Sequence, residues 1–242
     1  MKVELYLTPV SLSKEVIGDK SVVVIDVLRC TTSVCAALQA GAKGVIPVAG
    51  PGEAGDMWTK IGADLAILAG ERKGVKIENF NLGNSPFEFT EETVGDKLVI
   101  MTTTNGTQAF MEAQMSPHVA SCSLPNISAV AEWVATEERD LVILCAGREG
   151  HFSIEDTICG GMLVHLLSTE HKVSVEINDA ASLALLLYRT NARSIGKTIA
   201  QGEHGRFLQE IGFARDVEAA AAVDSIPVLP LLRDGQLVLP QN

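Results

Sequence analysis

A hydrophobic strand is followed directly by a helix in residues 22–41, VVVIDVLRCTTSVCAALQAG. The run VVVIDVL is rich in β-branched residues and predicts a buried strand over residues 22–28. Small and apolar residues then predict a helix over residues 31–40, which Gly41 closes. Another apolar run follows at residues 44–48. This order of strand, helix and strand is typical of a β-α-β unit with parallel strands.

The alternation continues over most of the chain. Further strands are predicted over residues 3–7, 65–69, 97–101, 118–121, 141–145 and 173–177, and further helices over residues 52–61, 125–135 and 154–167. Between them, the Gly- and Asn-rich residues 70–85 form a predicted loop.

The C-terminal part has a different pattern. Residues 180–223 are rich in Ala and Leu and predict three or four helices, and the last twenty residues predict a small hairpin. No repeat or linker interrupts the chain. We therefore predict one α/β domain over residues 1–242, with three α/β/α layers, a mainly parallel or mixed sheet and a helical C-terminal third.

Composition excludes several classes of partner. The chain has 19 Lys and Arg against 30 Asp and Glu, a formal net charge of −11, which argues against non-specific binding to nucleic acid or to an anionic membrane. The five cysteines form no CxxC pair, as expected for reduced thiols. Met1 leads directly into a predicted strand, and no apolar run is long enough for a membrane span. We predict a cytoplasmic protein, compatible with a homo-oligomer.

A dense polar cluster follows the strand predicted over residues 97–101. Residues 102–107 read TTTNGT and supply four hydroxyl groups, an amide and a glycine. Gly allows a close backbone approach, and a helix that begins here would direct free N–H groups at the same point. A tight turn with a capping threonine is the structural alternative. The predicted oxyanion ligands are Thr103, Thr104, Asn105, Gly106 and Thr107.

Polar residues also stand at the ends of three other predicted strands. Asp26 ends the run VVVID, Glu71 follows LAILAG, and Arg148 follows LVILCAG, with Asp156 shortly after. Ligands of open α/β sheets bind outside the carboxyl ends of the strands. If the sheet is parallel, all four clusters share one rim and form one site.

The chemistry predicted for this rim is an anionic ligand together with a divalent metal. Asp26, Glu71 and Asp156 carry hard oxygen ligands of the kind that Mg²⁺ prefers, so we take them as candidate metal ligands and catalytic groups. Arg29 and Arg148 are candidates for binding the acidic groups of a substrate. A helix-capping role for Asp26, and a surface ion pair of Glu71 with its neighbouring arginine, are the structural alternatives.

Other candidates are less specific. Thr31 and Thr32 open the helix after Asp26, and Ser85 is a suitable N-cap beside Asn84, which is within reach of a ligand. His204 in GEHG is a candidate acid or base, but a lone histidine beside glycines is more often a surface or capping residue. The chain has no GxSxG, P-loop or GxGxxG motif.

Four ordered blocks resemble a known family. The blocks are IDVLRCTTSVCAAL (25–38), LAGERKGVKIENFNLGNSPFEF (68–89), TTTNGT (102–107) and CAGREGHFSIEDTICGGML (145–163). Together they resemble the 2-phosphosulfolactate phosphatases of coenzyme M biosynthesis, over nearly the whole chain. The resemblance implies Mg²⁺-dependent hydrolysis of 2-phosphosulfolactate to sulfolactate and phosphate, on an α/β fold unlike that of the common phosphatase superfamilies.

The resemblance also implies a set of active-site positions. They are Asp26, Arg29, Thr31, Thr32, Glu71, Asn84, Ser85, Thr103, Asn105, Gly106, Thr107 and Asp156. Residue 30, often a small residue such as Ala in this motif, is Cys here, so a cysteine nucleophile is not part of the family pattern. We treat Cys30 as a packing residue.

Our hypothesis is therefore a phosphoric monoester hydrolase in which Asp26, Glu71 and Asp156 hold Mg²⁺ and the Thr/Asn cluster stabilises the transferring phosphoryl group. Either water or a carboxylate such as Asp26 would be the nucleophile. Two alternatives stay open: a phosphatase for another small phosphorylated hydroxy acid, and a non-catalytic protein that binds a phosphometabolite.

Overall fold

The computed structural model describes residues 1–9 and 13–240. The strands are β1 (Lys2–Tyr6), β2 (Ser21–Ile25), β3 (Gly44–Pro47), β4 (Ala66–Arg72), β5 (Val75–Lys76), β6 (Leu98–Thr102), β7 (Val119–Cys122), β8 (Leu141–Cys145), β9 (Glu176–Ile177), β10 (Leu231–Arg233) and β11 (Gln236–Val238). The helices are α1 (Lys14–Ile17), α2 (Cys30–Gln39), α3 (Pro51–Ile61), α4 (Glu91–Val94), α5 (Gly106–Ala113), α6 (Ile127–Glu137), α7 (Ile154–Thr169), α8 (Asp179–Asn191), α9 (Ile195–Gln201), α10 (Glu203–Glu210) and α11 (Ala214–Ala220). Of the domain predicted over residues 1–242, residues 10–12 and 241–242 lie outside the described residues.

The strands form one 11-stranded mixed sheet in the order β5-β4-β6-β3-β11-β10-β7-β2-β8-β1-β9. It contains two parallel blocks: a first block of β4, β6 and β3, and a second block of β7, β2, β8, β1 and β9. The antiparallel hairpin of β10 and β11 joins the two blocks. The predicted α/β class with a mixed sheet is confirmed, and so are the C-terminal hairpin and the helical C-terminal third, which consists of α8 to α11.

The two blocks run in opposite directions along the sheet, because each pairs antiparallel with one strand of the hairpin. A flat sheet would place their carboxyl ends at opposite edges. Because Val24, Val99 and Leu237 nevertheless belong to one buried core, we infer that the sheet twists and bends around it. The ends of β2, β4, β6 and β8 consequently reach one cavity. The four clusters share one rim as predicted, but a wholly parallel sheet is not the reason.

Helices fill the space inside the bend and cover both outer faces. Leu38 of α2 and Phe110 of α5 lie in the core between the two blocks. Val134 of α6 and Leu163 of α7 pack on the outer face of the second block. Ala54 of α3 packs on the outer face of the first block. Among the described residues, no helix is both long and apolar enough to cross a bilayer.

Three local predictions were wrong in part. The strand predicted over residues 22–28 ends at Ile25, because the amide and hydroxyl of Thr31 both donate to the carbonyl of Asp26 and turn the chain into α2. The loop predicted over residues 70–85 contains the end of β4 and a tight hairpin to β5, with positive φ at Lys73 and Gly74. The tight turn considered at residues 105–106 is replaced by the start of α5.

Candidate functional site

A cavity of about 150 Å³ lies where the two blocks of the sheet meet. It is lined by residues from four strand ends, from the β4–β5 turn and from α10. Its wall consists of Asp26, Leu28, Arg29, Glu71, Lys73, Gly74, Asn84, Thr103, Thr104, Asn105, Arg148, Glu149, His204 and Phe207. The structure therefore brings together eight of the predicted site residues: Asp26, Arg29, Glu71, Asn84, Thr103, Thr104, Asn105 and Arg148.

Asp26 is a buried carboxylate at the end of β2, 5% exposed. Its Oδ1 accepts the backbone N–H of Cys30 at 3.3 Å. Its Oδ2 lies so close to α5 that a Cβ on Gly106 would be 2.5 Å away. Burial raises the pKa of Asp26 from 3.8 to about 7, an effect that the nearby His204 reduces and Glu71 adds to. Asp26 is thus held in place by the backbone and presents a carboxylate that readily takes up a cation or a proton.

Glu71 connects the two polar turns of the first block. Its Oε1 accepts the N–H of Thr104 and its Oε2 accepts the N–H of Gly74, both at 2.8 Å. The tight β4–β5 hairpin brings the second of these donors under the carboxylate. Each carboxylate oxygen retains further acceptor capacity, so Glu71 both fixes the cavity wall and has oxygen available for a ligand.

The Thr/Asn cluster forms the start of α5. Thr103 and Thr107 bond reciprocally: the N–H of Thr107 donates to the hydroxyl of Thr103 at 3.2 Å, and the N–H of Thr103 donates to the hydroxyl of Thr107 at 3.3 Å. Asn105 precedes the helix and its Oδ1 accepts the N–H of Glu149 at 3.2 Å. Gly106 has an ordinary φ and is needed for the close approach to Asp26 and Cys30. The hydroxyls thus shape the turn, and Thr103, Thr104 and Asn105, which directly precede α5, line the cavity.

Asp156 lies behind the cavity wall. Its Oδ1 accepts the N–H of Val27 at 2.8 Å and its Oδ2 accepts the N–H of Gly147 at 3.0 Å, so it ties the end of β2 to the end of β8. Burial raises its pKa well above the ordinary value, and the neighbouring Asp26 adds to that effect. The structure does not bring Asp156 into the cavity with Asp26 and Glu71.

Arg29 lines the cavity but is already paired. It is 3% exposed, and its guanidinium donates to Asp216 Oδ2 and to the carbonyl of Gly74, both at 2.7 Å. Asp216 also accepts the hydroxyl of Ser85 at 2.8 Å. This Arg29–Asp216–Ser85 network joins α11 to the wall of the cavity, so Ser85 supports the site from outside it.

The remaining predicted positions hold the backbone. Thr31 exchanges hydrogen bonds with Asp26, and the hydroxyl of Thr32 donates to the carbonyl of Val27 at 2.8 Å. Thr31, Thr32, Ser85, Gly106 and Thr107 are not among the residues that line the cavity. Cys30 packs with its Sγ 3.9 Å from Met101 Sδ, and burial raises the pKa of its thiol well above the ordinary value. A buried thiol of this kind is a packing residue.

Asn84 has an unpaired polar atom at the cavity. The residue is 3% exposed, and within the described part of the chain its Oδ1 has no hydrogen-bond partner. A buried amide oxygen without a partner is costly in the folded protein. Its position on the cavity wall makes a bound ligand the natural partner.

Six further wall residues were not among the predicted site residues, and four of them have charged or aromatic side chains. Lys73 is an exposed cation on the β4–β5 turn, and Glu149 follows Arg148. His204 and Phe207 come from α10, and the guanidinium of Arg148 lies 4.7 Å from the ring centre of Phe207. From the sequence, His204 is only a minor candidate, because the residues around it do not indicate that α10 folds back over the strand ends.

The metal prediction can be tested against these donors. Among the described residues, no group of three or more His, Cys, Asp or Glu side chains is arranged to hold a metal ion. The set of Asp26, Glu71 and Asp156 is therefore not assembled. Mg²⁺ usually takes only one or two protein carboxylates together with phosphate and water. Asp26 and Glu71, which share the cavity, fit that smaller set.

Comparison with known proteins agrees with the resemblance noted in the sequence. The family model described as 2-phosphosulpholactate phosphatase matches residues 6–235. A probable 2-phosphosulfolactate phosphatase of Clostridium acetobutylicum is 37% identical over 238 residues, covering 98% of this chain and 100% of the relative. Proteins of the same name from Caldanaerobacter subterraneus subsp. tengcongensis and Carboxydothermus hydrogenoformans are 37% identical over 235 residues and 36% identical over 241 residues. They cover 97% and 99% of this chain, and 97% of each relative is matched. The chain belongs to the 2-phosphosulpholactate phosphatase family.

Proposed function

We propose that this protein hydrolyses the phosphate ester of 2-phosphosulfolactate, giving sulfolactate and inorganic phosphate, with Mg²⁺ as its cofactor. The observation that carries the proposal is the cavity that Asp26 and Glu71 share with Thr103, Thr104 and Asn105, in a chain of this family. A helix start suits a phosphate group, and adjacent carboxylates suit a metal-assisted reaction.

The phosphate is expected to lie against the first turn of α5. Thr103, Thr104 and Asn105, directly before this turn, line the cavity, and the reciprocal bonds of Thr103 and Thr107 keep the turn in one conformation. Such preorganised donors stabilise charge on a transferring phosphoryl group without having to reorganise during the reaction. In this proposal, the Thr/Asn cluster binds the phosphate group of the substrate.

The acidic groups of the substrate need free cations. Arg29 is neutralised by Asp216. Within the described part of the chain, the one acidic partner of Arg148 is Glu203, at 3.3 Å, and the side chain of Glu203 is 86% exposed. Such an exposed pair contributes little and is readily exchanged for a ligand. We therefore assign the carboxylate or sulfonate to Arg148 and the nearby Lys73, both on the cavity wall.

Asp26 and Glu71 would repel a phosphate unless their charge were balanced. In our proposal both hold Mg²⁺, which when bound neutralises charge on the phosphoryl oxygens. Glu71 keeps its orientation through the N–H groups of Thr104 and Gly74, so it enters the site already positioned. Asp156 has a supporting role: it accepts the N–H of Val27, directly after Asp26, and the N–H of Gly147, after β8, and it is not a ligand in this proposal.

Phosphate release from 2-phosphosulfolactate and from 2-phospholactate, each with Mg²⁺ and with EDTA, tests the proposal. We expect turnover with Mg²⁺, a preference for the sulfonate-bearing ester and loss of activity in EDTA. Asp26→Asn should lower kcat by at least about 100-fold. Asp64→Asn, at an exposed position in the loop between α3 and β4, should leave kcat unchanged.

The alternatives give distinct outcomes. A preference for 2-phospholactate would assign the protein to another phosphorylated hydroxy acid. Ligand-induced thermal stabilisation without turnover would indicate a binding protein and overturn the proposal. Full activity in EDTA would contradict the metal.

A further inference from the structure

We propose that His204 is the general acid of the reaction and donates a proton to the leaving oxygen as the P–O bond breaks. The inference rests on the proposed phosphatase function and goes beyond it by naming the proton donor. It follows from the position of His204 between a buried carboxylate and the cavity.

A buried glutamate fixes the imidazole ring. Nδ1 of His204 lies 3.1 Å from Oε1 of Glu155, and their side chains are 15% and 2% exposed. Because a carboxylate accepts hydrogen bonds, Nδ1 carries a hydrogen in this pair. The nitrogen left for the cavity is Nε2, for which the described residues provide no bonded partner.

His204 lies beside the cation that we assign to the acidic part of the substrate. It stands in the first turn of α10, and Phe207 in the same helix lies under the guanidinium of Arg148. Arg148 also pairs with Glu203, the residue before His204. A substrate whose acidic group binds Arg148 and whose phosphate binds the start of α5 has its ester oxygen between these points, within the part of the cavity that His204 lines.

In the proposed step, water hydrolyses the ester and His204 protonates the leaving oxygen. Water forms a bond to phosphorus, and the electron pair of the breaking P–O bond goes to the ester oxygen. That oxygen takes the proton from Nε2 and leaves as the hydroxyl group of the hydroxy acid. The attacking water gives up one proton to solvent, from which the neutral imidazole regains its own. Among the described residues, the charged or titratable groups around His204 include Glu155, Asp26, Arg148, Glu149, His151 and Glu203.

The test compares leaving groups in wild-type protein and His204→Gln. A secondary alkoxide leaves poorly without a proton, whereas the enolate of phosphoenolpyruvate delocalises its charge and needs less help. We expect kcat of His204→Gln to fall about 100-fold or more on 2-phosphosulfolactate but less than about tenfold on phosphoenolpyruvate. His171→Gln, at an exposed position beyond the end of α7, is the matched control and should behave as wild type on both.

Equal losses on the two esters, or no loss on either, would overturn the assignment of His204. If wild-type protein does not turn over phosphoenolpyruvate, the pH profile of kcat on 2-phosphosulfolactate decides. Its alkaline limb should be present in wild type and absent in His204→Gln, and an unchanged limb would overturn the proposal. Absence of turnover of both 2-phosphosulfolactate and 2-phospholactate by wild type would instead refute the proposed function.

Glu155 is the positioning residue of the pair. Glu155→Gln weakens the hydrogen bond that orients the imidazole, so kcat on 2-phosphosulfolactate should fall about tenfold while kcat on phosphoenolpyruvate falls less. A structural role alone would lower the amount of folded protein or reduce both rates equally. Equal losses on the two esters in Glu155→Gln would show that the pair does not act on the proton of His204.

Discussion

The carboxyl group of Asp26 on the cavity wall has a raised pKa, so it makes the folded protein less stable as the pH rises. Its pKa is about 7 in the folded protein against 3.8 ordinarily, so the unfolded chain loses this proton first as the pH rises. The stabilisation from the protonated group is fully present below about pH 3.8 and is lost between 3.8 and about 7. A buried carboxyl group whose ionisation lowers the stability of the folded protein is typical of a functional site.

Asp26→Asn should reveal that cost in metal-free protein. In EDTA, we expect the stability of the variant relative to wild type to rise by about 3 kcal/mol between pH 5 and pH 8, since each pKa unit corresponds to about 1.4 kcal/mol. Urea unfolding at the two pH values measures it. A stability difference that is the same at both pH values would show that Asp26 titrates normally.

Arg29 and Asp216 form the buried ion pair that joins α11 to the cavity, with side chains 2% and 4% exposed. Asp216→Ala leaves a buried guanidinium without its partner, so we expect a loss of about 3–5 kcal/mol in the free energy of unfolding. Glu4→Ala in the exposed pair with Lys20, 38% and 26% exposed, should cost less than about 1 kcal/mol. Similar losses in both variants, measured by urea unfolding, would contradict the assigned difference in burial.

At these positions the residue types were predictable and their partners were not. Asp26, Glu71 and Arg148 stand out because charged groups end apolar runs, and they do line the cavity. The commitment of Arg29 to Asp216 was beyond the sequence, since the two residues are 187 positions apart. The same holds for Asp156, whose two backbone bonds depend on how closely β2 and β8 pair.

The start of α5 has no room for a side chain at Gly106. A Cβ on Gly106 would lie 2.5 Å from Asp26 Oδ2 and 2.5 Å from Cys30 Cβ. Gly106→Ala must therefore push α5 away from β2, and we expect a loss of about 1–3 kcal/mol in stability together with most of the activity. Thermal unfolding and phosphate release measure the two effects.

Gly52→Ala in α3 is the matched control, because a Cβ there meets nothing within 4 Å. In a helix this change should stabilise the protein by about 0.4–1 kcal/mol through the unfolded chain and leave activity unchanged. If Gly106→Ala behaved like Gly52→Ala, the close packing of α5 on Asp26 would be wrong.

Most elements could be predicted because their apolar runs and spacing are strong local signals. The β4–β5 hairpin could not, since its turn places Lys73 at φ 53°, where Asn or Gly is usual. The end of β2 was also misplaced, because Val27 and Leu28 continue the apolar run although Thr31 turns the backbone after Ile25.

The hairpin of β10 and β11 holds the two blocks of the sheet in the arrangement that forms the cavity. Leu237 pairs with Val45 of the first block and is fully buried in the core that both blocks share. Leu237→Ala should cost about 2–5 kcal/mol by urea unfolding. Leu239→Ala, at a side chain 37% exposed, should cost far less. A small effect at Leu237 would contradict the bridging role of the hairpin.

The arrangement of the chain as a whole was the least predictable feature. Local patterns indicated the alternation of strands and helices, but strand order, the reversed blocks and the return of α10 over the strand ends depend on long-range pairing. His204 illustrates this limit: its neighbours in sequence are two glycines and charged residues, whereas its neighbours in space are Glu155 and the cavity.

We propose above all that the phosphorylated acid binds in this cavity. A crystal structure of the protein with Mg²⁺, phosphate and sulfolactate tests this directly. We predict oxyanion density at the first turn of α5, a metal between Asp26 and Glu71, and an acidic group at Arg148. Ordered product bound elsewhere, with this cavity holding only water, would contradict the central claim.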